Sequence, residues 1–329
     1  VATALVTGAT GFVGSWIART LVEAGHDVRV LHRQTSRLDA IADFDVEHFI
    51  GDLSQPDALM KAVKGVDWVF HVAAVADYWR TGKQKIYDVN VDGTRTLLDV
   101  CIQAGVGRFI FTSSGAAIGF NADGRPVSEN DHFSVDPRLS PYGHSKFLAE
   151  AEVYKAIQKG LDCVILNPSI VLGPGDLNLI SGSLILEIAK GRVPFLPMQG
   201  GVTYVDVRDV AKAHLTAAEK GRCGERYLLG TVDMSNKAII RLTAQIVGAK
   251  PPFIPSFPFM VNAFAWIVDI ARGIGLQLPG DVEGNQLRLS LHDIYFDCSK
   301  AHRELGDPQI DLVQSITDTY EWYREHGYL

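Results

Sequence analysis

The sequence predicts a Rossmann-type α/β fold: a doubly wound parallel sheet with a smaller, discontinuous, mostly helical C-terminal substrate domain. Three observations carry this. Short β-branched runs alternate with longer stretches of helical spacing through the first half of the chain. Several of those runs, such as WVFHV at Trp68–Val72 and CVIL at Cys163–Leu166, are apolar throughout, as in strands covered on both faces. The first strand candidate also runs directly into a glycine-spaced turn and a helix.

Taken in order, strands are expected at Thr3–Thr7, Val28–His32, Val46–Ile50, Trp68–Val72, Phe109–Thr112 and Cys163–Leu166. Helices are expected at Phe12–Ala24, Pro56–Val63, Tyr87–Ala104 and Pro141–Gln158, where apolar residues recur every three or four positions. Residues 168–201 are rich in Gly and Pro, with one helix near Leu184–Lys190. Strands Thr203–Val207 and Arg226–Leu229 flank a helix at Val210–Lys220, residues 235–286 read as mostly helical, and Leu312–Tyr323 forms the last helix. The expected division is a dinucleotide-binding domain at 1–170 to which 202–229 returns, a substrate domain from 171–201 and 230–311, and a C-terminal helix at 312–329. A cleft would lie between the two domains.

Composition narrows the function. The 329 residues are 47% hydrophobic and 21% charged with net charge -7, so no overall basic character points to nucleic acid or an anionic membrane. Cys101, Cys163, Cys223 and Cys298 lie far apart and form no C-x-x-C pair, which argues against a disulfide framework or a zinc site. No His/Asp/Glu set has metal-ligand spacing, so no metal is expected. The first residues lack a charged-then-apolar leader pattern, and a cytoplasmic location is the expectation. Phe257–Ile270 is strongly apolar but shorter than a bilayer span. It reads first as a buried or lid helix, and otherwise as a surface for an apolar substrate or a membrane interface.

The opening segment TALVTGATGFVG places Gly8, Gly11 and Gly14 at the strand-to-helix turn. A glycine permits the tight turn, another lets the backbone approach a pyrophosphate, and the third lets the helix pack on the sheet. Gly8, Thr10, Gly11, Phe12, Val13 and Gly14 are therefore the expected cradle, with the helix N-terminus presenting N–H groups to phosphate. An NAD-binding protein usually carries an acid at the end of the second strand. Here that stretch reads Val30, Leu31, His32, Arg33, and Arg33 with Arg37 offers planar donors to a 2′-phosphate. NADP(H) is expected, with NAD(H) as the alternative.

Residues 140–150, SPYGHSKFLAE, put Tyr142 and Lys146 one turn apart on one helix face. An ammonium stabilises a phenolate, so the pair suits proton transfer near neutral pH. Upstream, the fifth strand ends in Thr112, Ser113 and Ser114, and a hydroxyl there would hold a substrate oxygen beside Tyr142.

These segments together resemble the extended branch of the short-chain dehydrogenase/reductase superfamily, the NAD-dependent epimerase/dehydratase family. The resemblance rests on TGATGFVG, GDL at Gly51–Leu53, HVAA at His71–Ala74, NVDGT at Asn90–Thr94, FTSS at Phe111–Ser114, YGHSK at Tyr142–Lys146, NPS at Asn167–Ser169, GPGD at Gly173–Asp176 and TYVDVRDVAKAH at Thr203–His214. It implies a catalytic set of Ser114, Tyr142 and Lys146. Ser114 is preferred over Ser113 because it stands five residues before Gly119 in the family's S-x-x-x-x-G pattern. It also implies Asp52 and Leu53 by the adenine, Val72, Ala73 and Ala74 along ribose and phosphates, and Thr112 on the cofactor side. Lys146 would reach the nicotinamide ribose, and Pro168 and Ser169 would line the nicotinamide. Asn90 is implied as structural or part of a proton relay. A homodimer through the helices Tyr87–Ala104 and Pro141–Gln158 is a further implication, as is the return of Thr203–His214 to the sheet.

Other residues are read more plainly. His144 points away from the face of Tyr142 and is expected to be exposed, and His71 is expected to be a satisfied core histidine. Tyr78, Trp79 and Arg80 follow the fourth strand, and Tyr78 and Trp79 are candidates for the substrate wall. Within the branch, dehydration needs an acidic pair after the catalytic hydroxyl, and Gly115, Ala116 and Ala117 stand there instead. Reduction of a ketone or aldehyde, as in a dihydroflavonol-4-reductase-like group, is the leading expectation. The alternatives are a nucleotide-sugar 4-epimerase on retained NAD, as in a hopanoid-associated sugar epimerase-like group, and a non-catalytic NADP-binding sensor. The expected partner is a small carbonyl or sugar substrate, with no nucleic acid and no integral membrane span.

Overall fold

The computed structural model describes residues 1–76, 81–274, 276 and 283–329. The strands run β1 (Thr3–Thr7), β2 (Asp27–His32), β3 (Glu47–Ile50), β4 (Trp68–His71), β5 (Arg108–Thr112), β6 (Cys163–Pro168), β7 (Ile170–Leu172), β8 (Phe195–Pro197), β9 (Gly201–Asp206), β10 (Arg226–Leu229), β11 (Val232–Ser235), β12 (Ile254–Ser256) and β13 (Asp293–Ile294). The helices run α1 (Phe12–Glu23), α2 (Pro56–Val63), α3 (Lys83–Tyr87), α4 (Thr94–Ala104), α5 (Pro141–Gln158), α6 (Ser183–Ala189), α7 (Val207–Lys220), α8 (Asn236–Ile246), α9 (Pro258–Gly273), α10 (Gly284–Leu289), α11 (Ser299–Leu305) and α12 (Leu312–Glu325).

Seven strands form one sheet in the order β3-β2-β1-β4-β5-β6-β10, and every pairing in it is parallel. The predicted doubly wound sheet is thus present. The strand order reverses direction between β1 and β4, and the chain leaves both strands on the same edge. Such a switch point opens a crevice beyond the C-terminal strand ends, because the connecting helices depart to opposite faces. The alternation of side chains shows both faces covered. Ala4, Val6, Phe70, Ile110 and Val164 pack with Ile17 and Leu21 of α1 and Val210 of α7 on one side. Leu5, Val69, Phe109, Phe111 and Ile165 pack with Leu59 of α2, Leu97 of α4 and Val153 of α5 on the other.

Local sequence sets several helix ends. Ser140 accepts a bond from Gly143 N and precedes Pro141 at the first turn of α5, while Asp206, Ser235 and Asp311 cap α7, α8 and α12 in the same way. The helix expected at Tyr87–Ala104 is instead α3, a π-helical stretch at Asp88–Gly93, and α4. The wider turn sits at buried Asn90, whose side chain is committed to other elements and so breaks the regular spacing.

The smaller lobe holds β11, β9 and β13 with β7 beside β9, a two-stranded β8–β12 pairing, and a core that joins α6, α8 and α12. Thr203–His214 was expected to return to the large sheet. Its strand, β9, belongs to the smaller sheet, and the return is made by α7, which packs on α1, and by β10 at the sheet edge. The short strands β7, β8, β11, β12 and β13 were not read from the sequence. At two to four residues they carry too little alternation to register.

The apolar segment at 257–270 is a helix of the smaller lobe, but it is not buried. Only Ala265 and Val268 of α9 are enclosed, while Trp266 is 63% and Phe259 71% exposed. The expectation of a buried helix is corrected on that ground. No helix among the described residues is long and apolar enough to cross a membrane.

Candidate active site

The crevice begins at the turn after β1. Gly8 adopts φ +76°, and a Cβ on it would lie 2.6 Å from Ala73 N, so the ends of β1 and β4 meet without a side chain between them. Gly14 packs on the same turn, where a Cβ would fall 2.2 Å from Gly8 O. Gly11 differs: its Cβ would meet one atom only, Gly8 O at 3.4 Å, so this glycine leaves room rather than relieving a clash. Gly11 is also the N-cap of α1, with no side chain on the helix's first N–H groups and no acid in its first turn. That arrangement fits a pyrophosphate, since the unspent donors and the dipole both favour an anion. Thr10, Phe12 and Val13 are partly exposed around it.

A directed chain of bonds fixes the β1–β4 seam. Ala73 N donates to Thr7 Oγ1 (3.3 Å), and Thr7 Oγ1 lies 2.8 Å from His71 Nδ1. His71 Nε2 lies 2.9 Å from Thr94 Oγ1, which donates to Asn90 O. With Thr94 donating onward, His71 Nε2 is the donor to Thr94 and Nδ1 accepts from Thr7, which is the neutral imidazole. Burial, with the nearby Lys146 charge, pushes His71 down to about 3. His71 is the satisfied core histidine the sequence suggested. Asn90 clamps both backbone groups of Val75 and donates to Ser145 Oγ at 2.9 Å, holding the residues after β4 against α5. Val72, Ala73 and Ala74 are half-buried along this seam. Tyr78, Trp79 and Arg80, expected to follow it, lie outside the described residues.

At the end of β2, Arg33 is exposed and closes a turn in which its N–H donates to Ser36 Oγ at 3.2 Å. Arg37 is also exposed, and its Nε is paired with Asp39 Oδ2 at 2.9 Å. At 78% and 59% side-chain exposure this pair is weak and can open. Asp52 is half-buried, with Oδ1 taken by Ser54 N and Oγ. Leu53 is buried and packs against Gly93.

The opposite wall is built from β5, β6 and α5. Lys146 is 2% exposed, donates from Nζ to Thr112 O at 2.6 Å, and lies 4.4 Å from the centre of the Phe111 ring. Burial pushes its ammonium down to about 7, against a smaller upward pull from Glu150. Ser113 and Ser114, the two residues that follow β5, separate in role. Ser113 is buried and donates to Glu150 Oε1. Ser114 is half-buried and accepts from Ala116 N at 3.2 Å, which occupies a lone pair and not its proton. The short 3-10 turn Gly115–Ala117 after Ser114 lies hard against the start of α5: a Cβ on Gly143 would be 2.4 Å from Ala116 O. Gly143 neighbours Tyr142, so two segments pack together here: the turn that carries Ser114, and the start of α5, which carries Tyr142 and Lys146. Tyr142 is half-buried.

Glu150 is the residue that sequence reasoning missed. It is 2% exposed and accepts from Ser113 Oγ, Asn167 Nδ2 (2.6 Å) and Arg226 Nη1 (3.1 Å). Asn167 Nδ2 also reaches Ser114 O at 3.0 Å. Glu150 thereby ties α5 to the ends of β5, β6 and β10. The signal was in the sequence, since Glu150 follows Lys146 by four residues on the same helix face. Past Asn167, Pro168 is buried and Ser169 half-buried. Asn167 Oδ1 and Ser169 Oγ are buried without a hydrogen-bond partner among the described residues. Two unspent polar atoms at the end of β6 suit the polar edge of a nicotinamide.

His214 donates from Nδ1 to Val210 O and lies 2.8 Å from Thr112 Oγ1, and burial pushes it down to about 4. His144 corrects an expectation. It is half-buried, 3.0 Å from Tyr87 Oη, and its ring stacks near Phe133 and Phe147. The reason is tertiary, because α3 and the 129–136 loop cover that side of α5. No group of three or more His, Cys, Asp or Glu among the described residues has a geometry that could hold a metal ion.

Comparison with known proteins agrees with this geometry. A "Putative dihydroflavonol 4-reductase" of Synechocystis sp. is 36% identical over 330 residues, covering 98% of this chain and 95% of that protein. "Sterol demethylase protein B" of Methylococcus capsulatus is 33% identical over 331 residues, covering 99% of each. The solved structure of gox2253 superposes with a TM-score of 0.87 at 38% identity over all of both chains. The model of the "NAD dependent epimerase/dehydratase family" matches residues 4–230. A glycine-spaced strand-to-helix turn, Tyr142 with buried Lys146 one turn on along α5, and this match over more than half the chain lead to one statement: the protein belongs to the NAD-dependent epimerase/dehydratase family and is an NAD(P)-dependent enzyme of the extended short-chain dehydrogenase/reductase type.

Proposed function

We propose that the protein is an NADP(H)-dependent reductase of a ketone or aldehyde, with Tyr142 as general acid, Ser114 orienting the carbonyl oxygen and Lys146 supporting Tyr142. The observation that supports the reading is the contact of the Ser114 turn with the start of α5 at Gly143, the residue after Tyr142. The bound nicotinamide would supply the hydride.

The chain's own residues do the rest. Tyr142 gives a proton to the carbonyl oxygen as charge develops there. The Ser114 hydroxyl, whose proton is not used by Ala116 N, donates to the same oxygen. Lys146, held by Thr112 O, keeps positive charge next to the phenol when protonated. Gly8, Gly11 and Gly14 with Thr10, Phe12 and Val13 hold the pyrophosphate. Arg33 and Arg37 meet the 2′-phosphate, Asp52 and Leu53 border the adenine, and Val72, Ala73 and Ala74 border ribose and phosphate. Pro168 and Ser169 line the nicotinamide.

NADP(H) is preferred to NAD(H) because no acid stands at the end of β2, where a 2′-hydroxyl would need one. Reduction is preferred to sugar epimerisation for the same reason and by the reductase name of a full-length relative. A homodimer through α4 and α5 is part of the reading, checked by light scattering.

Tyr142→Phe tests the assignment. The variant should bind NADPH as the parent does and lose about 10²–10⁴-fold in carbonyl reduction. Full turnover in that variant would end the proposal. A purified protein that keeps NAD through dialysis would point to epimerisation instead.

A further inference from the structure

We infer that the outer face of α9, with the β8–β12 ribbon beside it, is a docking surface for an anionic lipid bilayer. Ten large apolar side chains between residues 253 and 276 are exposed, among them Phe253 at 87%, Phe259 at 71%, Trp266 at 63% and Ile274 at 70%. The β8–β12 register sets exposed Phe195 beside exposed Ile254 and extends the patch. Scattered surface apolar residues need no explanation, but this many on one helix and the strand that leads into it do.

The helix is apolar on both sides. Ala265 and Val268 face the lobe, while Phe264, Trp266, Ile267 and Ile270 face outward. A helix apolar all round is normally enclosed. Among the described residues only one side is covered, and the charges at the rim indicate what covers the other. Residues 236–276 contain four Lys and Arg and one Asp, in a chain of net charge -7. Lys250 precedes the patch and Arg272 ends α9, both exposed, and Lys190 and exposed Arg192 precede β8. The rim also carries acids: Asp269 is paired with Arg288 at 2.6 Å, Glu187 lies 3.8 Å from Arg192, and Glu283 lies near Arg272 and Asp269, so cations still outnumber acids there. Aromatic and aliphatic side chains within a rim of Lys and Arg match the headgroup boundary of an anionic membrane, which takes ring and chain carbons below and cations at the phosphates. The acidic net charge of the chain conceals this local balance. The helix at 16 residues lies on the surface and does not span it.

The helix that bears the patch is linked through α10 to the segment that leads into α5. Asn285 of α10, which packs on α9, donates to Arg138 O at 3.0 Å, two residues before the Ser140 cap of α5. An apolar carbonyl compound could therefore pass from the bilayer to Tyr142 along the lobe. That last point rests on the reductase reading; the docking surface does not.

The test is sedimentation of the full chain with vesicles of phosphatidylcholine and phosphatidylglycerol, against phosphatidylcholine alone. Binding should favour the anionic vesicles and weaken with salt. The triple variant Phe259→Ser/Trp266→Ser/Ile270→Ser should bind them at least about tenfold less tightly, with circular dichroism and NADP(H) binding unchanged. A second variant, Lys250→Glu/Arg272→Glu, should lose the preference for anionic lipid while keeping its fold. The proposal is overturned if the parent stays in the supernatant, or if the folded triple variant binds as the parent does. It is also overturned if light scattering shows a parent dimer that the triple variant breaks, because the face then belongs to a second copy. Vesicle binding with no carbonyl turnover would leave the surface standing and remove the reductase reading.

Discussion

Glu150→Gln is the most informative substitution, because one buried carboxylate holds three elements around the candidate catalytic residues. In the parent its oxygens take Ser113 Oγ, Asn167 Nδ2 and Arg226 Nη1, and the side chains of Arg226 and Glu150 are 13% and 3% exposed. Removing one partner of a buried ion pair costs about 3–5 kcal/mol. Two features reduce this. Glutamine keeps an acceptor oxygen for Ser113 and Asn167, and Arg226 retains Glu129 O and Asp131 O. The expected loss is therefore about 2–4 kcal/mol, mostly from the uncompensated guanidinium. Urea unfolding read by tryptophan fluorescence measures it. The second readout separates a positioning role from a purely structural one. Glu150 pulls the Lys146 ammonium upward, and burial holds the resultant at about 7. Without that charge the midpoint must fall below 7. Carbon-13 titration of lysine Cε, with Lys146→Met identifying the signal, follows it directly. A Lys146 midpoint that stays at the parent value, with a stability loss under about 0.5 kcal/mol, would refute the reasoning.

Three further outcomes are expected. Gly14→Ala should lose NADP(H) affinity by more than about tenfold, read by quenching of protein fluorescence, because its Cβ would sit 2.2 Å from Gly8 O and force the turn open. Arg33→Asp should move the NADPH-to-NADH ratio of kcat/KM towards NADH by at least about tenfold, the size of one lost charge-assisted contact; an unchanged ratio would remove Arg33 from the 2′-phosphate. His71 is held neutral at about 3 in the fold, against an ordinary value of 6.5, so the unfolded chain binds the extra proton between those values. The stability this contributes is complete above pH 6.5 and falls as pH drops towards 3, by up to about 1.4 kcal/mol per unit. His214, pushed down to about 4, adds a similar slope over the same range, so urea unfolding at pH 7, 6 and 5 should show both, and His71→Gln should remove about half of it.

Much of this protein was legible in its sequence, for physical reasons that differ by element. The centre of the seven-stranded sheet could be read because its buried strands β1, β4, β5 and β6 are mostly apolar and the connecting helices repeat at 3.6 residues, which are local properties of the chain. The turn at Gly8–Gly14 could be read because its chemistry depends on missing side chains in one contiguous run. Tyr142 and Lys146 could be read because a helix fixes their separation.

The tertiary structure decided the rest. It separated Ser113 from Ser114 by setting Glu150 beside one of them, a contact between β5 and α5 that no local pattern records. It placed β9 in the smaller sheet although its sequence reads like any other strand, since pairing partners are chosen by the whole chain. It covered His144 with Tyr87, Phe133 and Phe147, and left one side of α9 exposed among the described residues. Periodicity reports which residues are apolar; only the packing of distant segments determines which of them are enclosed.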